Sequence, residues 1–144
     1  MSKKTDMPEP SNPAIRAKAA ITTLIKRAKN HQLITYNDLA EAIGYNDPRP
    51  TGHVLWAVFA WCLKNKAPAL SRLVISQGTG NPGIDELLRY NLFQIFNFNW
   101  DDLKIPSPPE IEMCRQWLNE ETDDMNWDSI ITMFSPKSFL IKGF

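Results

Sequence analysis

The chain has 144 residues, with 16 Lys and Arg balanced by 16 Asp and Glu and 43% hydrophobic content. That suffices for one packed domain, is short for two, and matches neither a disordered nor a membrane composition. The longest nearly uncharged run, 51–63, is about thirteen residues where a membrane span needs roughly 20, so no membrane partner is expected.

The opening stretch, MSKKTDMPEPSNP, lacks the apolar core of a signal peptide, and residues 1–12 are expected to form a flexible arm. Cys62 and Cys114 lie far apart with no Cys or His at metal-ligand spacing, which points to free thiols, a cytoplasmic setting and no metal. Charge is uneven along the chain. Residues 1–80 carry eleven Lys and Arg against five Asp and Glu, and the remainder carries five against eleven. A cationic first half suits a nucleic-acid face, and equally a surface whose halves neutralise each other.

Ser11-Asn12-Pro13 sets a capping side chain before a proline and predicts a helix over 13–29. Its apolar stripe is read along Ile15, Ala19, Thr22 or Thr23, and Ile25 or Lys26, widened by Leu24 and Ala28. After a short connector at 31–34, Thr35 and Asp38 have capping-box spacing. Leu39, Ala40, Ala42 and Ile43 supply a buried side, and Gly44 suits the left-handed residue that closes a helix. Pro48 and Pro50 then forbid continuation, and Thr51 is expected to cap the next helix.

From Gly52 to Lys64 the chain is apolar on nearly every side, as a central buried helix would be. Leu70 to Ser76 has strand composition, and Gln77 to Gly83 is a dense turn signal. Asp85 is expected to cap a helix through about Phe96. A loop anchored by Trp100 follows, and Pro108-Pro109 introduces a helix carrying Ile111, Met113, Cys114, Trp117 and Leu118. An acidic stretch from Glu110 to Asp128, interleaved with Trp117, Met125 and Trp127, offers a docking surface for a basic protein or, alternatively, packs its tryptophans in the core while the acids stay solvated.

The stretch Ile34–Gly83 carries a resemblance. Thr35-Tyr36, Ala40, Ile43-Gly44, Arg49-Pro50-Thr51-Gly52, Pro68-Ala69-Leu70-Ser71-Arg72-Leu73-Val74 and Gly78 fall in the order seen in the C-terminal DNA-binding domain of O6-alkylguanine-DNA alkyltransferases and alkyltransferase-like proteins. About fifty residues resemble that pattern. It also resembles a small uncharacterised bacterial and phage domain that ends in a motif like Thr79-Gly80-Asn81-Pro82-Gly83 and adjoins nuclease modules in some chains. The resemblance implies a winged helix-turn-helix core over 13–83, and the additional C-terminal helices over 84–144, unrelated to the family's pattern, are expected to pack on the same core in an α+β, mostly helical fold.

The family's acceptor cysteine and neighbouring histidine are missing from Pro68-Ala69-Leu70-Ser71-Arg72, so alkyl transfer is not implied. In the alkyltransferase-like proteins the tyrosine touches a phosphate and the arginine of the turn enters the base stack; those roles would fall to Tyr36 and Arg49. Thr35, Asn37, Thr51 and His53 stand at helix starts, where donors suit phosphate oxygens, although capping alone also accounts for Thr35 and Thr51. Lys3, Lys4, Lys26, Arg27, Lys29, Lys64, Lys66 and Arg72 are candidate phosphate contacts, or simply a wet surface. No phosphate-loop pattern, nucleophile elbow or histidine metal pair occurs, so neither catalysis nor a cofactor is expected. The expectation is a non-catalytic protein that binds double-stranded DNA in a regulatory or mobile-element setting. The alternative is a protein-interaction module, an inhibitor or adaptor, built on the same fold or on the acidic half.

Overall fold

In the computed structural model, which describes residues 8–75 and 86–123 and only the backbone of 86–88, helix α1 runs Asn12–Lys29. Ser11 is its N-cap, with Oγ accepting from the Ala14 amide, so Ser11 and Asn12 at the end of the expected arm belong to the helix start. The buried face is Ala14, Ala17, Ala20, Ile21, Leu24, Ile25 and Ala28, whereas Ile15 is 49% exposed and Ala19 faces solvent. The stripe is therefore rotated from the one read off the sequence. Small alanines on the inner face let neighbouring helices approach closely, which the bulkier Ile15 would prevent.

Strand β1, Ile34–Thr35, leads straight into α2, Tyr36–Ala42. Thr35 Oγ1 accepts from the Asp38 amide at 3.1 Å, so the predicted cap forms. Leu39, Ala40 and Ile43 are buried as expected, while Ala42 is exposed. Gly44 has φ +92°, and a Cβ there would collide with Arg16 Nη1, which donates to Ile43 O at 2.6 Å. The positive φ is what favours glycine here, since the arginine tip could swing aside.

Helix α3, Thr51–Lys64, buries Val54, Leu55, Ala57, Val58, Phe59, Ala60, Trp61 and Cys62. Thr51 does not cap it. The N-cap is Pro50, already in the helical region, and the Thr51 amide donates back to Pro48 O, so the chain is winding before Thr51 is reached. The Thr51 side chain is turned into the core instead, fully buried, and its hydroxyl has no hydrogen-bond partner among the described residues.

The expected strand over 70–76 is mostly not one. Leu70–Leu73 is a 3-10 helix, and strand β2 is Val74–Ile75. Leu70 and Leu73, three apart, are both fully buried, an outcome that a three-residue period gives and an alternating strand does not. β2 pairs in parallel with β1, Ile34 opposite Val74 and Thr35 opposite Ile75. The expected wing at 77–83, the cap at Asp85 and the Met125 and Trp127 positions of the acidic stretch lie outside the described residues.

Helix α4 is Glu86–Asn97, and a 3-10 turn at Trp100–Asp102 follows. Trp100 anchors this loop as expected, buried with Nε1 donating to Ile95 O at 2.8 Å. Helix α5, Pro108–Glu121, is capped by Ser107 with prolines in its first turn. α1, α3 and α5 pack mutually around Ile21, Leu24, Phe59, Trp61, Ile111 and Leu118, while α2, α4 and the 3-10 segment close the sides. Burying each of these large side chains contributes roughly 1.5–3 kcal/mol. The result is a mostly helical α+β fold with a two-stranded parallel sheet. Among the described residues no helix is long and apolar enough to cross a membrane.

Candidate nucleic-acid interface

The parallel pairing decides what meets at the surface. β1 delivers Tyr36 to the first turn of α2, and β2 is preceded by Arg72 in the 3-10 segment, so two residues 36 positions apart are brought to one edge. Tyr36 is 39% exposed and Asn37 is exposed beside it. Arg72 is partly buried. Burial lowers its pKa, and the nearby Tyr36 phenol acts in the opposite direction. No carboxylate pairs with this guanidinium among the described residues.

The other arginines behave differently. Arg16 bonds Ile43 O and lies 4.7 Å from the centre of the Tyr45 ring. Arg27 Nη1 donates to Leu33 O at 2.7 Å, and Arg115 pairs with Glu112 at 2.6 Å. Arg49, the turn residue, is paired with Asp47: Nη2 to Oδ2 at 2.9 Å and Nε to Oδ1 at 3.2 Å. The Arg49 side chain hydrogen bond, then the backbone one, hold the Asp47 carboxyl below its ordinary value, and the same side-chain bond raises Arg49. Arg89 is exposed to solvent. A guanidinium drawn partly out of water with neither an anion nor a carbonyl bonded to it is thus, among the described residues, particular to Arg72.

The lysines named as phosphate candidates divide likewise. Lys29 pairs with Asp101 at 2.6 Å, and Lys64 Nζ lies 4.5 Å from the centre of the Trp117 ring. Lys26 and Lys66 are exposed; Lys3 and Lys4 lie outside the described residues.

Of the remaining candidates, Thr35 is occupied as a helix cap and His53 is exposed on the first turn of α3. Thr51 is enclosed in the core and cannot touch a duplex at the surface. Next to His53, Gly52 is exposed, and a Cβ added there would meet nothing within 4 Å. Nothing inside the fold demands glycine at this helical position.

The edge is not uniformly cationic. Asp38 and Glu41 on α2 are exposed, and Glu41 and Asp47 line a cleft of about 280 Å³ with Asn37, Tyr45 and Asn46. Sequence reasoning passed over Asp47, although an Asp two residues before the amide it accepts from is a recognised turn signal. It also placed Glu112 in an acidic docking surface; Glu112 is instead 2% exposed and holds α5 to the start of α1. Nothing local in the sequence marks that role. Among the described residues no group of three or more His, Cys, Asp or Glu side chains is placed to hold a metal ion. No protein-family model, curated protein or solved structure matches the chain.

Proposed function

We propose that this chain is a DNA-binding module of the winged-helix kind that performs no chemistry, and that it grips a backbone phosphate between Arg72 and Tyr36. The observation that carries the reading is the partly buried Arg72 guanidinium, which has no counter-ion among the described residues, whereas Arg16, Arg27, Arg49 and Arg115 are tied to carboxylates or carbonyls. A cation held at a surface edge beside a phenolic hydroxyl offers a phosphate one charge-assisted and one neutral hydrogen bond. The open first turn of α3 at Gly52 removes the side chain that would keep a nucleic-acid surface at a distance.

Fluorescence anisotropy with a random-sequence duplex tests this. Binding in the micromolar range at about 50 mM salt is expected to fall steeply by about 200 mM, and Arg72→Gln is expected to weaken it while reducing the salt slope by about 0.9. Lys104→Ala, an exposed cation on the loop before α5, serves as the control. Absence of binding at low salt, or an Arg72→Gln protein that binds as well as the parent, refutes the reading.

Asp38, Glu41 and Asp47 favour a second reading, in which the same edge receives a basic segment of another protein. Glu41→Lys separates the two. It strengthens capture of a duplex and abolishes capture of a basic partner.

A further inference from the structure

The guanidinium of Arg49 is held quite unlike that of Arg72. Asp47 Oδ1 accepts from the Arg49 amide at 2.7 Å and from Nε at 3.2 Å, while Oδ2 accepts from Nη2 at 2.9 Å. The carboxylate grips the inner, Nε–Nη2 edge of the guanidinium and fixes its plane. The outer edge, where an Nη1–H and the second Nη2–H point the same way, has no partner among the described residues, and the side chain is 89% exposed.

This pairing changes which ligand the arginine suits. At a distance the pair carries no net charge, so it contributes little to the attraction of phosphate. A phosphate that displaced Asp47 would exchange one oxyanion for another with small gain. The outward N–H groups, however, keep their direction and spacing. A planar fork fixed in this way matches two neighbouring uncharged acceptors, and on a duplex the guanine O6 and N7 edge provides that pair. The open Gly52 and exposed His53 on the adjoining turn of α3 leave room for a base-pair edge to come close.

Building on the DNA-binding reading above, we infer that Arg49, oriented by Asp47, reads an uncharged guanine acceptor pair in duplex DNA while Arg72 takes the phosphate. Asp47 is a positioning residue in this arrangement: it cancels the long-range pull of Arg49 and so converts a general anion contact into a selective one.

Three duplex probes test the inference: one of G·C pairs, one of A·T pairs, and the G·C duplex with 7-deazaguanine in place of guanine. The parent protein is expected to prefer G·C over A·T by about ten- to a hundredfold and to lose most of that preference on the 7-deaza probe. The double variant Arg49→Ala/Asp47→Asn, which removes both charges of the pair together, abolishes the preference and leaves the salt slope unchanged. Asp47→Asn, which frees the charge, tightens binding to all three probes, steepens the slope by about 0.9 and erodes the preference. Equal affinity of the parent for all probes overturns the inference. So does an Arg49→Ala/Asp47→Asn protein that loses slope and affinity on every probe alike. Failure of the underlying reading looks different: no probe shows salt-sensitive binding and Arg72→Gln changes nothing.

Discussion

The Glu112 carboxylate accepts from both the amide and the hydroxyl of Ser11, at 3.1 and 2.6 Å, across 101 positions of sequence. The same Ser11 Oγ caps α1, so the start of one helix and the docking of another share a single buried carboxylate. Arg115 and Gln116 complete its coordination at 2.6 and 3.0 Å. Removing one member leaves the others short of a partner in a poorly solvated place.

Stability is therefore expected to depend on acid. Burial pushes the Glu112 carboxyl up, and the hydrogen bonds from Arg115, Ser11 and Gln116 more than reverse this, leaving it at about 2 against 4.5 for the free group. A depressed folded value means the contribution is complete above pH 4.5 and disappears as pH falls toward 2. Its size is about 3 kcal/mol. Urea melts of the parent and Glu112→Gln are expected to differ most at neutral pH and to converge on acidification; a gap that stays constant contradicts the assignment.

Thr51→Val is expected to stabilise the fold. The hydroxyl is buried without a partner among the described residues and Val has nearly the same shape, so the substitution relieves a desolvation cost of about 1–3 kcal/mol. Thermal melts of the two proteins decide the sign.

The cysteines are expected to be unreactive in the native state. Burial pushes the Cys62 thiol up to about 12, and burial also raises Cys114 on the facing helix α5. Thiolate at neutral pH is scarce at both positions. An aromatic disulfide reagent should label neither until denaturant is added; rapid labelling of Cys62 in the folded protein would contradict this burial.

Gly52→Ala sets stability against binding. In an exposed helical position with no neighbour to hit, alanine is favoured by roughly 0.5–1 kcal/mol, so the variant melts later. If the first turn of α3 meets a duplex closely, the added methyl weakens binding in anisotropy titrations despite the gain in stability. Stronger or unchanged binding removes Gly52 from the interface.

Local signals were legible where the responsible groups are sequence neighbours. Ser11 before Pro13, Thr35 before Asp38 and Gly44 after Ile43 were each readable because a cap or a left-handed residue is defined within a few positions. The phase of the α1 stripe was not, because it depends on which helices press against Ala17 and Ala20. Leu70 and Leu73 have strand-like composition, and only their joint burial against α1 and α3 selects the tighter 3-10 winding. Tyr36 and Arg72 were readable as separate polar residues, but their meeting depends on a parallel pairing that no short motif encodes. Glu112 stands in an acidic run, and its role becomes visible once Ser11 is placed beside it.

The two-residue ladder of Ile34 with Val74 and Thr35 with Ile75 works as a clasp, fastening both ends of a ring of chain that contains α2, the turn and α3. Tyr36 and Arg72 sit at opposite ends of that ring, so a ligand spanning them would hold the clasp shut. Slower exchange of the amides that donate across this ladder would then register occupancy of the edge, from hydrogen bonds that the ligand itself never touches.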